Sequence, residues 1–115
     1  MLSTPDLKEL PDKFSGYFGR AVKILMTGHW FDSDLTPEEV SANTTEEQTF
    51  TIKGLLVSDI VIPKKPTHQA GLGIVGARVS AVNTLSITFM NTTASPITPT
   101  AETYTILAFR REKET

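Results

Sequence analysis

The chain has 115 residues, 39% of them hydrophobic, with a mean hydropathy of -0.09 and a formal net charge of -2. That length fits one domain able to bury roughly two thirds of its unfolded surface, and no apolar run approaches the ~20 residues that span a bilayer. The absence of cysteine excludes disulfides, thiol catalysis and cysteine-ligated metals.

Charge is unevenly placed. Nine acids face four bases up to Glu47, whereas seven bases face four acids from Gln48 onward. Residues 48–101 carry only Lys53, Asp59, Lys64, Lys65 and Arg78. Phosphate contacts need clustered bases, so this distribution argues against nucleic-acid binding. Lys64-Lys65 and Arg110-Arg111 are pairs, expected at solvated loop and terminal positions.

Residues 1–19 read as an extended arm with short helical turns. Thr4 caps a start with Pro5 at the first helical position. The turn runs no further than Leu10, because Pro11 disfavours helical geometry before it. Leu2, Leu7, Leu10, Phe14, Tyr17 and Phe18 are a large apolar load for so short a stretch. A segment that cannot hold an independent helix needs a surface to lie on: its own domain, or a neighbouring subunit. The stretch from Met1 to Leu10 lacks the basic start and apolar core of a secretory signal. A protein made and used in a cytoplasm, or one that leaves by assembly or lysis and not by secretion, is expected.

Arg20 to Thr27 predicts a first strand with Val22, Ile24 and Met26 on one side. Trp30-Phe31 follows, as core, interface or a sugar-stacking platform. Asp32 and Asp34 then read as a solvated acidic turn. Thr36-Pro37-Glu38-Glu39 is a capping box that starts one or two helical turns. Gln48 to Lys53 predicts a strand with Phe50 and Ile52 inward and Thr49 and Thr51 outward, ended by Gly54. Val57 to Ile62 predicts another, closed by Pro63 and Pro66 at a sheet edge. Lys64 to Gly73 is a loop.

Two alternating runs around Val82-Asn83-Thr84 then predict a β-hairpin. Val75, Ala77, Val79 and Ala81 share one face of the first run. Leu85, Ile87 and Phe89 share a face of the second, with Ser86 and Thr88 pointing away. Thr92 to Ala101 is a polar connection. Glu102 to Arg110 has apolar residues on both faces, as a central or partner-covered strand does. The expected fold is all-β: a small β-sandwich or jelly-roll-like barrel over residues 20–115, preceded by the arm over residues 1–19.

Candidate chemistry is sparse. Gly71, Gly73 and Gly76 match the spacing of a dinucleotide fingerprint, but the residues after them alternate as a strand where a helix is required. His29, Asp32 and Asp34, with Glu38 or Glu39, could ligate a metal, yet Leu35-Thr36-Pro37 breaks the calcium-loop pattern. Ser58, Asp59 and His68 form a nucleophilic set on paper without a nucleophile elbow. Asn43-Thr44-Thr45 and Asn91-Thr92-Thr93 fit the glycosylation pattern, and read here as Asn- and Thr-rich loops. No catalytic, cofactor or metal residue is assigned.

The residues Gln48 to Leu55, Asp59 to Ile62, Lys65-Pro66, Gly71 to Ile74 and Ala77 to Ala81 carry a family pattern. It continues through Asn83-Thr84, Ile87 to Phe89, Asn91 to Thr93, Ile97 to Pro99 and Glu102 to Tyr104. In these turn and strand residues the chain resembles the small virion structural proteins of tailed bacteriophages, of the capsid decoration or cement type. The resemblance implies a non-enzymatic homo-oligomer, a trimer, located in the virion and contacting the major capsid protein or other virion subunits. It transfers no catalytic residues, and with the charge and hydropathy readings above no cofactor, nucleic-acid or membrane partner is expected. The apolar arm residues, with Trp30 and Phe31, are then the candidate subunit interface. The rival reading is a receptor- or glycan-binding module of a head or tail fibre, using the Lys64–Gly73 and Thr92–Ala101 loops.

Overall fold

A computed structural model describes residues 28–110, and every regular element there is a strand. The strands are β1 (Gly28–Leu35), β2 (Thr44–Thr51), β3 (Ile60–Lys64), β4 (Leu72–Ala81), β5 (Thr84–Asn91) and β6 (Glu102–Phe109). They form two three-stranded sheets, ordered β1-β6-β3 and β2-β5-β4. Antiparallel registers join β2 and β4 to β5, and β3 to β6. One buried cluster draws on both sheets, in a layout consistent with a small β-sandwich: Leu35, Val61, Tyr104, Ile106 and Ala108 from the first, Val79, Leu85, Ile87 and Phe89 from the second.

The hairpin forms where alternation predicts it. Val82-Asn83 makes the turn, and Asn83 takes a positive φ of 61°, which Asn tolerates better than most residues. Leu85, Ile87 and Phe89 are fully buried. One assignment of face changes. A register shift between Ile74 and Gly76 inserts an extra residue, so Ile74 and Ala77 pack on the core while Val75 is 53% exposed. Ala81, beyond a second shift, is exposed too. Ser86 lies on the outward side of β5 yet is buried, its Oγ 2.7 Å from that of Ser80.

Elsewhere tertiary partners overrule local signals. Asp32 and Asp34 belong to strand β1 and do not form a turn, because the hydroxyls of Thr105 and Thr103 on β6 donate to their carboxylates. No helix follows Thr36. The Gln48 side chain bonds both the N–H and the carbonyl of Glu38, and Val40 bridges to Ile97. The donors that a capping box would satisfy are met across the fold instead.

Strand β2 starts at Thr44, earlier than expected, and β3 starts late. Leu56 to Asp59 is a closed turn, with Asp59 N–H donating to the Leu56 carbonyl and Leu56 N–H to Asp59 Oδ2. Pro63 sits inside β3 and does not end it, which an edge strand permits. Strand β6, expected to be central, is the middle strand of its sheet.

The Thr92–Ala101 connection is less external than its polarity suggests. Pro99 and Asn91 are buried. Asn91 Nδ2 donates to the carbonyls of Val40 and Ser95, while its Oδ1 accepts from the N–H and hydroxyl of Thr93. A buried amide so fully paired is a structural knot and no glycan acceptor. The expected arm over residues 1–19, the strand at Arg20–Thr27 and the charged tail lie outside the described residues.

Candidate interaction surface

The most unusual feature of the molecule is the outer face of the β1-β6-β3 sheet. Its side-chain sorting follows from period two. Phe31 and Leu35 pack on the core, so Trp30, Asp32 and Asp34 point outward from β1. Tyr104, Ile106 and Ala108 are buried, leaving Thr103, Thr105, Leu107 and Phe109 outward on β6. Val61 is buried, leaving Ile60, Ile62 and Lys64 outward on the edge strand β3.

The register makes this face two-toned. Ile62 lies opposite Leu107 and Ile60 opposite Phe109. Asp32 and Asp34 bond to Thr105 and Thr103, which sets Trp30 beside Leu107 across the same sheet. Trp30 is 70% exposed, Ile60 68% and Ile62 54%. An isolated exposed apolar residue means little, but several in adjacent register positions make this face a candidate contact surface. Beyond them the face turns polar, through Asp32, Thr105, Lys64, Asp34 and Thr103.

The end of the sheet under this apolar stretch is fixed by an ion pair between a buried aspartate and a partly exposed arginine. Arg110 bonds Asp59 through Nε at 2.9 Å and through Nη2 at 3.0 Å, and also reaches the Gly54 carbonyl. The Asp59 side chain is almost wholly buried. The Arg110 hydrogen bonds hold its carboxyl below the usual aspartate range, with burial opposing and the Leu56 N–H assisting. Arg110, expected as a solvated terminal residue, stays partly exposed and also serves as a structural clamp. Gly54 takes a φ of 107° and sits against the Phe31 ring, so a side chain there would be both strained and crowded.

The other loop system forms a shallow depression of about 340 Å³ lined by Lys65 to Gln69 and Leu72 to Ile74. Lys65 is not a free loop cation. Its ammonium lies 3.0 Å from Glu102 and donates to Thr67. Gln69 ties this loop to the Thr98 carbonyl and the Thr100 N–H, and Thr92 donates to the Gly71 carbonyl. The Lys64–Gly73 and Thr92–Ala101 loops therefore form one surface, which their separation in sequence does not announce.

The remaining candidates are placed as follows. Gly71 has a φ of 81° and Thr93 packs where its side chain would stand; Gly73 and Gly76 lie in β4. The glycine series thus opens a strand, as its alternation predicted. Among the described residues no three His, Asp or Glu side chains gather as a metal site. Asp59 is engaged by Arg110, while His68 lines the depression. Burial and the nearby Glu102 carboxylate push the Tyr104 hydroxyl up to about 12, so it stays protonated near neutrality. Of the candidate interface residues, Trp30 and Phe31 take opposite sides of β1, Trp30 outward and Phe31 against the core. Leu2, Leu7, Leu10, Phe14, Tyr17 and Phe18 lie outside the described residues.

Of the exposed stripe, Trp30 was a sequence candidate, whereas Ile60 and Ile62 escaped sequence reading because they look like core residues of a short apolar strand. Only the edge position of β3 and the burial of Val61 between them settle which side faces out. No protein-family model, curated protein or solved structure matches the chain.

Proposed function

We propose that this chain is a non-enzymatic virion structural protein of the capsid decoration or cement type. In this reading a small β-sandwich domain, of jelly-roll kind, oligomerises as a trimer on the particle, contacts the major capsid protein and uses its N-terminal arm to staple neighbouring subunits. The observation that carries it is the uncovered apolar stripe of Trp30, Ile60 and Ile62 on a sheet face. Burying such side chains yields roughly 1.5–3 kcal/mol each, enough in sum to hold a subunit contact after ordering costs. The resemblance in the turn and strand residues supports the same reading.

The test is to mix the purified protein with undecorated capsids and, separately, with host envelope glycans, and to measure co-sedimentation and glycan retention. Capsid binding is expected, and deletion of residues 1–19 is expected to abolish it while the sheets stay folded. Binding to glycans alone overturns the decoration reading. One observation favours a second reading, a receptor- or glycan-binding module: the joined loops and their depression of about 340 Å³ beside Lys65 and Gln69. His68→Ala and Gln69→Ala would then reduce glycan retention without affecting capsid binding.

A further inference from the structure

The outer face of the β1-β6-β3 sheet carries its charges as well as its apolar groups in register. One row across the sheet is Trp30, Leu107 and Ile62; the next is Asp32, Thr105 and Lys64. Asp32 and Lys64 stand on opposite edge strands with β6 between them. Two strand spacings, roughly 9–10 Å, separate them, and no ion pair joins them within one copy. Both are exposed.

We propose that the occupant of this face is a second copy of this chain, related by an axis parallel to β6. A rotation about such an axis leaves height along the strands unchanged and brings the β1 side of one copy against the β3 side of the next. Trp30 then meets Ile62 and Ile60, covering the exposed stripe, and Asp32 meets Lys64 on the following row. Charge complementarity selects this arrangement. Reversing the strand direction of the second copy would instead bury Asp34 and Thr103 against Ile60 and Phe109, leaving a carboxylate in an apolar contact. The two outer faces pack as aligned sheets do, with alternate side chains interleaved. This inference rests on the reading of the face as an assembly surface, and it adds the partner and the register.

The test uses the full chain in light scattering after size exclusion, over a range of concentrations. A mass of two or more whole chains is expected. Asp32→Lys and Lys64→Asp should each weaken association by about tenfold or more, because like charges then meet across the contact. The double exchange should restore it, and Trp30→Ser should give monomer, with circular dichroism unchanged in all four variants. A monomer at every concentration, an assembly indifferent to either charge reversal, or no recovery in the double exchange overturns the inference. A monomeric chain that still binds capsids sinks this inference and spares the decoration reading. Self-association with no capsid binding does the reverse.

Discussion

The two sheets have the same strand count and similar alternation, yet their outer faces end differently. On the β2-β5-β4 sheet the outward polar side chains satisfy one another, and Val75 at the bulge is the single large apolar side chain that its strands expose. Arg78 on β4 reaches across β5 to Glu47 on β2 through two hydrogen bonds of 3.0 and 2.9 Å, and Ser80 pairs with Ser86. On the β1-β6-β3 sheet the polar half is likewise paired, Asp32 and Asp34 with threonines, but the other half presents Trp30, Ile60 and Ile62. A face closed by its own polar side chains has little left to offer a partner. A face with aligned apolar residues does, and the difference makes this face the candidate interaction surface.

That comparison can be broken by substitutions of graded effect. The largest belongs to the shared interior. Phe89→Ala should destabilise the fold by about 3–5 kcal/mol, whereas Thr88→Ala on the opposite side of β5 should stay within about 0.5 kcal/mol. Urea titration of both variants checks this, and equal losses would show that the outer side of β5 is as well packed as the inner.

Next is Asn91→Ala, which removes two donated and two accepted hydrogen bonds behind the Thr92–Ala101 connection. A loss of about 1–3 kcal/mol is expected from the buried partners left behind. Faster hydrogen exchange at Val40 and Ile97, which pair across this knot, should accompany it.

The clamp beneath the apolar stripe gives a pH effect of definite sign. Asp59 is held below the usual aspartate range in the fold. Its contribution is therefore present above the unfolded aspartate value and is lost as pH falls through the lower folded value. Arg110→Ala should lower the urea midpoint at neutral pH, and the gap from the unaltered chain should narrow on acidification. A gap that stays constant down to acid pH would assign Arg110 a packing role only.

Smallest are the outer faces themselves. Arg78→Ala should leave the melting temperature essentially unchanged, since Glu47 and Arg78 pair in solvent, where screening removes most of the gain. Ile62→Ser should likewise stay within about 0.5 kcal/mol in dilute protein, but it should lower the retention of the chain on a hydrophobic column. Unchanged retention would mean the stripe is not available to partners.

Legibility in the sequence followed the range of the forces involved. The hairpin was readable because a period of two, with Asn83 able to turn, is a local property. The turn at Gly54 after β2, and the apolar residues on both faces of β6, were readable for similar reasons. Asp32 and Asp34 misled because their partners, Thr105 and Thr103, lie some seventy residues away, with separations of 73 and 69. The box at Thr36 misled because Gln48 supplies from another strand what a helix would have supplied itself. Val75 misled because one inserted residue at a bulge reverses the side of those around it. The clamp between Asp59 and Arg110 carried no local signal at all.

The chain by itself determined an all-β domain, since alternating threonine and aliphatic runs punctuated by Asn, Gly and Pro admit little else. Tertiary structure decided which strands are edges, which isoleucines face water, and which charges are spent inside the fold. Those outcomes depend on cross-strand register and on pairing between residues far apart in sequence. Such pairing is set only when both sheets close on one core.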